Sequence, residues 1–86
     1  MGESPDQKRP PLPRKVVFPF GYVVRFKYLK PADMPSSSLS DWEEETRIVR
    51  INRDRTYEQK MEDVVHEVGH AFIDWMRHVE KLLGRT

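Results

Sequence analysis

Between Val16 and Leu29 apolar side chains recur at every second position. Phe18, Phe20, Tyr22, Val24, Phe26 and Tyr28 share one side, while Arg25 and Lys27 fall on the other. A period of two belongs to a strand with one face buried and one in water. Pro19 and Gly21 weaken the pattern at its start, because proline cannot donate to a ladder and glycine has no side chain to pack. The cleanest strand is therefore Tyr22–Tyr28. Lys30 to Asp41 carries Pro31, Pro35 and four serines and reads as a loop. Trp42 and the acidic run Glu43-Glu44-Glu45 lead into a second strand over Thr46–Asn52, with Ile48, Val49 and Ile51 as its apolar content. The connection is too short and polar for a crossover helix, so the two strands are expected to pair antiparallel.

After a polar link, Thr56 and Gln59 form a T-x-x-Q capping box, with Glu58 placed for the positive end of a helix. Helical spacing of apolar residues then continues to Leu83, and Gly84 fits the residue beyond a helix end. The pattern predicts a helix over 57–83. The expected fold class is α+β: a small antiparallel β-sheet, with strands at 16–29 and 46–52, packed on one long amphipathic α-helix.

The chain has 86 residues, which bounds it to one small domain near the lower limit of what a single core can stabilise. Residues 15–86 are expected to form that domain. Residues 1–14 hold Pro5, Pro10, Pro11 and Pro13 with few apolar residues, and read as a disordered, proline-rich, basic arm. Pro10 to Lys15 also fits a PxxP segment followed by a basic residue. With no cysteine, any metal must be held by histidine, carboxylate or water. A net charge of +1 gives no basic surplus for nucleic-acid binding. No apolar run reaches the roughly 18 residues that cross a bilayer, and the N-terminus lacks the apolar core of a signal peptide. The default expectation is a cytoplasmic protein.

Candidate chemistry lies inside the predicted helix, where His66-Glu67-Val68-Gly69-His70 reads H-E-x-x-H. Four residues along a helix advance about 6 Å and about 40° around the axis, so both imidazoles project side by side and can share one Zn²⁺. Glu67 lies about 100° round from His66, where it can act as general base on a water at the metal. With His66 at 0°, the apolar residues Met61, Val64, Val65, Val68, Ala71, Phe72, Trp75, Met76, Val79, Leu82 and Leu83 occupy an arc from about 140° to 280°. That arc is expected to pack on the sheet, leaving the histidines opposite it. They line an open cleft, or they decorate a solvent face together with Gln59, Glu62, Asp63, Arg77 and Lys81.

The stretch Val65 to Asp74 resembles the active-site helix of zincin metallopeptidases, and its His-Ala-x-x-Asp ending is similar to the thermolysin-like gluzincins. The wider segment Ile48 to Asp74 is similar to small H-E-x-x-H proteins common in phage and prophage genomes. The resemblance implies His66 and His70 as zinc ligands, Glu67 as base, and Asp74 as a group that orients the imidazole of His70. It implies a zinc-dependent metallopeptidase acting on a peptide or protein substrate. The pattern departs from the gluzincins in having no second helix to bring a glutamate, and from the metzincins in carrying Ile73 and Met76 where a glycine and a third histidine belong. The third ligand is therefore unassigned. Glu80 or His78 could return if the helix bends, or Asp33, Asp41 or Glu43–Glu45 could fold over the cleft. A second chain could also supply it, which would make the protein a homodimer. The alternative is a non-catalytic, metal-stapled or metal-free binding module of regulatory type, acting through Trp42, Ile73 and the sheet face.

Overall fold

The computed structural model describes residues 9–35 and 39–84. In chain order it contains β1 (Lys15–Phe18), β2 (Tyr22–Leu29), a single 3₁₀ turn (Pro31–Asp33), β3 (Ser40–Glu43), β4 (Ile48–Asn52) and the helix α1 (Tyr57–Leu82). The four strands form one sheet in the order β1-β2-β4-β3, and α1 lies against it. The α+β class and the single long helix match the expectation from sequence. The sheet is mixed rather than antiparallel throughout.

Two corrections explain the difference. The stretch 16–29 is a hairpin and not one strand: Phe18 pairs with Tyr22, and Phe20 and Gly21 turn the chain at φ 70° and 73°. Both residues sit in the left-handed region, which glycine enters without penalty and phenylalanine does not. Phe20 is thereby 67 % exposed, although it keeps the period of two. The second correction is to the strand pairing. The loop after β2 contains another strand, β3, which forms the outer edge. A turn through Glu44–Arg47 then returns the chain as β4 into the slot between β3 and β2. Consequently β4 runs antiparallel to β3 and parallel to β2. Thr46 and Arg47, expected in the strand, belong to the turn, with Arg47 at φ 58°. Its guanidinium stacks over the Tyr22 ring at 4.0 Å.

The core follows the alternation. Tyr22, Val24 and Phe26 from β2, Val49 and Ile51 from β4, and Val64 and Ala71 from α1 are buried together, while Arg25 and Lys27 remain exposed. Burial of such side chains contributes about 1.5–3 kcal/mol each. At the hairpin end, Phe18 stacks on Trp75 with centroids 5.5 Å apart, and Trp75 Nε1–H donates to the Pro19 carbonyl at 3.0 Å. The helix begins as expected: Gln59 N–H donates to Thr56 Oγ1, and Thr56 N–H donates to the Gln59 side chain. Past its end, Gly84 takes φ 71° and its N–H reaches the Lys81 carbonyl. Among the described residues no helix is long and apolar enough to cross a membrane.

Part of the N-terminal arm is held rather than free. Residues 1–8 lie outside the described residues, but Tyr57 Oη donates to the Pro10 carbonyl and Tyr28 Oη to the Pro13 carbonyl, both at 2.6 Å. Arg9 lies over the Tyr57 ring and pairs with Glu58. The prolines thus present carbonyls to two tyrosines, and the PxxP stretch is engaged within its own chain.

Two outcomes test this packing. Ile51→Ala empties a fully buried site between sheet and helix, and denaturant melts should show a loss of about 2–5 kcal/mol. Burial pushes the Tyr28 phenol from 10.0 up to about 12. The neutral form is therefore favoured in the fold, and its contribution to stability is complete below pH 10 and lost as pH rises towards 12. Burial, with Asp74 nearby, also raises Tyr22, so phenolate absorbance should show two late-titrating tyrosines, and Tyr28→Phe should remove one of them.

Candidate metal centre

The side of α1 facing the sheet takes in only one edge of the predicted apolar arc, Val64, Val68, Ala71 and Trp75. Asp63, Val64, Glu67 and Ala71 are its buried residues, whereas Val65, Phe72, Met76, Leu82 and Leu83 are exposed. The helix is rotated about a quarter turn from the orientation that the apolar arc alone would dictate. The cause is a row of carboxylates, each met by a donor from the sheet or its rim. Asp63 takes a two-pronged bond from Arg55 at 3.0 and 3.1 Å. Glu67 Oε2 accepts from Ser40 Oγ at 2.6 Å, and Asp74 Oδ2 accepts from Trp42 Nε1–H at 2.5 Å. Asp63, expected on the solvent side, is thus an anchor that holds the start of α1 to the end of β4.

This rotation places the histidines. His66 and His70 stand exposed on the flank of α1 beyond the Glu67–Ser40 bond. Their Nε2 atoms are 3.3 Å apart and their rings meet edge to face, with centroids 4.8 Å apart. Two nitrogens bound to one zinc at about 2.0–2.1 Å with a tetrahedral angle lie about 3.3–3.4 Å apart, so the spacing fits a shared ion. It equally fits an N–H···N bond between two neutral imidazoles of opposite tautomer. One carboxylate oxygen of Glu67 joins them, all three donor atoms lying within 4.8 Å of one another. The donor set is that of a borderline-soft cation, with two imidazoles and a carboxylate that is itself oriented by a hydroxyl.

The other expected site residues are placed elsewhere. Asp74 was expected to orient His70; it bonds Trp42 and, at 3.5 Å, Arg77. The helix is continuous to Leu82, so Glu80 does not return to the centre, and His78 packs on the Tyr22 ring at 5.4 Å. Asp41 and Glu43 both pair with Arg50. Alternation along β3 puts them on the face turned from α1, since Ser40 and Trp42 meet the helix. Arg50 holds the Glu43 carboxyl below its ordinary value. Glu44 and Glu45 line a separate pocket of about 270 Å³ with Arg47, Arg77 and Lys81. Asp33 sits exposed in the 3₁₀ turn. Among the described residues no fourth side chain joins His66, Glu67 and His70.

Ser40 and Trp42 are the residues that sequence reasoning did not assign to the centre. Both sit on β3, read as loop and lead-in, and nothing in their local pattern marks them. A signal did exist on the helix: Asp63, Glu67 and Asp74 recur at helical spacing on one side. β3 is an edge strand. The Asn52 N–H to Leu39 carbonyl bond fixes the alternation, so the main-chain groups of Ser40 and Trp42 point to the open edge. The free edge beside the helix is thus that of β3 and not, as expected, that of the strand leading into the helix, because β4 is internal.

Comparison with models of known families, with curated proteins and with solved structures finds no match.

The contrast between exposed and anchored groups is measurable without metal. His66→Ala and His70→Ala should each shift the metal-free stability by less than about 0.5 kcal/mol, as exposed positions do. Asp74→Ala leaves the Trp42 indole without its acceptor and should cost about 1–3 kcal/mol in thermal or denaturant melts.

Proposed function

We propose that His66 and His70 hold a zinc ion and that the centre hydrolyses peptide bonds in an extended substrate lying along the open edge of β3. The observation that carries this reading is the pair of imidazole nitrogens 3.3 Å apart beside the Glu67 carboxylate. Zinc, when bound, supplies Lewis acidity towards a carbonyl and brings a water towards ionisation near neutral pH.

The chain's own groups account for the rest. Glu67 is 5 % exposed, and Ser40 occupies its Oε2, which fixes the carboxylate plane and leaves Oε1 to take a proton from water and return it to the leaving amine. A metal binds an imidazole only through an unprotonated nitrogen, so the ion competes with protons for both rings. The outward main-chain groups of Ser40 and Trp42 offer a ladder on which a peptide can add as a further strand.

A second reading has its own support. The described residues bring only two imidazoles and Glu67 together, whereas catalytic zinc commonly has three protein ligands with one position open. A metal-stapled binding module would use the same histidines without turnover.

Metal content by mass spectrometry, with peptide cleavage assayed beside it, separates the readings. The proposal expects zinc to be lost in His66→Ala/His70→Ala. Glu67→Gln should keep the metal while cleavage falls by about 10²–10⁴-fold. Substrates N-methylated at the amides that would pair with β3 should bind more weakly. Zinc retention with no cleavage of any peptide by the unaltered protein would favour the binding module. Failure to take up zinc even from excess metal would overturn both readings.

A further inference from the structure

The outward side of α1 is apolar and open. Val65 is 68 % exposed, Phe72 45 %, Ile73 50 % and Met76 48 %, and these four surround Gly69 at helical spacings. Gly69 itself has no explanation within the chain. Its φ is not in the positive range, so the backbone does not require glycine. A Cβ added there would meet nothing within 4 Å, so crowding does not require it either, and glycine is a poor residue for a helix interior. What its absent side chain leaves is a notch in an apolar face. Ile73 projects from the same face one turn further on. His66 borders this face on its other side, and with Glu67 kept as base its centre has two imidazoles and no further histidine or carboxylate beside them among the described residues.

We propose that this face mates with the same face of a second copy, the two α1 helices crossing antiparallel with each Ile73 seated in the notch over the partner's Gly69, and that the partner's Glu80 completes the metal centre begun by His66 and His70. The shared ligand rests on the zinc-binding reading; the interface does not. A notch and a projection one turn apart on one face complement each other when a two-fold axis passes between them, as in an isologous dimer. The helix has 26 residues, about 39 Å. The paired stretch from Glu62 to Glu80 covers about 27 Å of it, and a specific interface is expected to bury roughly 1,000 Å² in total.

The same axis sets the ligand. Glu80 is exposed on the flank that carries Ile73, and along its own helix it lies about 21 Å from His66, beyond reach. In the antiparallel pair it passes opposite Glu62, about one turn from His66 of the other chain. Two carboxylates and an imidazole brought together in this way repel or compete until a cation joins them. The dimer is therefore tightened by zinc, with one ion per chain at two equivalent sites.

Sedimentation equilibrium of the full chain, with chelator and then with one equivalent of zinc, tests both parts. The expected result is a dimer whose dissociation constant falls at least about tenfold on adding zinc. Gly69→Leu fills the notch with a better helix former where there is room for it, so circular dichroism should show an intact helix while dimerisation weakens at least about tenfold. Glu80→Gln removes a repelling carboxylate, so the metal-free association should tighten while its response to zinc is abolished. A monomer at all concentrations, with and without zinc, would overturn the proposal. Zinc held as tightly by monomeric Gly69→Leu as by the unaltered chain would overturn the shared site while leaving the metal reading intact. A dimer that Gly69→Leu breaks but that takes up no zinc would sustain the interface and overturn the metal reading instead.

Discussion

The rotation of α1 about its own axis decides what this molecule presents to its surroundings, and three hydrogen-bonded carboxylates set that rotation. Asp63, Glu67 and Asp74 share one side of the helix and meet Arg55, Ser40 and Trp42. An unpaired carboxylate next to a sheet would be strongly unfavourable, whereas a charge-assisted bond to a fixed donor offsets the lost hydration. Each anchor comes from a different place in the chain: the link after β4, the first residue of β3, and the middle of β3. Turning the helix so that its apolar arc faced the sheet would break all three bonds. The helix consequently divides its apolar surface, with Val64, Ala71, Val68 and Trp75 meeting the core and Val65, Ile73 and Met76 facing outward.

That division explains how much of the fold the sequence reveals. The capping box and the helix limits were legible because they depend on neighbours three and four residues apart. The buried face of β2 was legible for the same reason: Tyr22, Val24 and Phe26 alternate with charged residues, and a period of two needs no tertiary information. Strand order and direction were not. Whether β4 lies beside β2 in parallel or antiparallel fashion depends on β3, a strand of four residues in which Ser40, Asp41 and Glu43 have weak strand preference. It is held by its ladder to β4 and by bonds made through its side chains to Glu67, Asp74 and Arg50. Such bonds join residues 7 to 32 positions apart, and no local pattern announces them.

The candidate centre divides along the same line. The side-by-side placement of His66 and His70 follows from helical geometry and could be read from their spacing. The position of Glu67 could not, because the wheel alone did not say which flank would be buried. The apolar arc predicted that the histidines would lie opposite the sheet; the carboxylate anchors bring them round to the rim of its open edge. Asp74 shows the converse error. A carboxylate one turn beyond a metal-type histidine invites an orienting role, but a tryptophan indole on β3 claims it. Sequence spacing limits which groups can meet, and the choice among them is made by donors elsewhere in the fold.

The exposed imidazole pair and the open apolar face are therefore one consequence seen twice. With Glu67 turned inward to Ser40, the two imidazoles stand on a flank that no other element of the described chain overhangs. With Asp63 and Asp74 turned inward as well, Val65, Ile73 and Met76 are carried out on the adjoining side. A chain of 86 residues has little surface to spare for apolar exposure, since small domains already bury a smaller share of their surface than large ones. Gly69 lies where the two features adjoin, between the histidines and the apolar residues, and it lowers helix propensity at a place where an added Cβ would meet nothing within 4 Å. The two imidazoles, the exposed apolar residues and Gly69 thus occupy one side of one helix, and the proposed partner surface would cover all three.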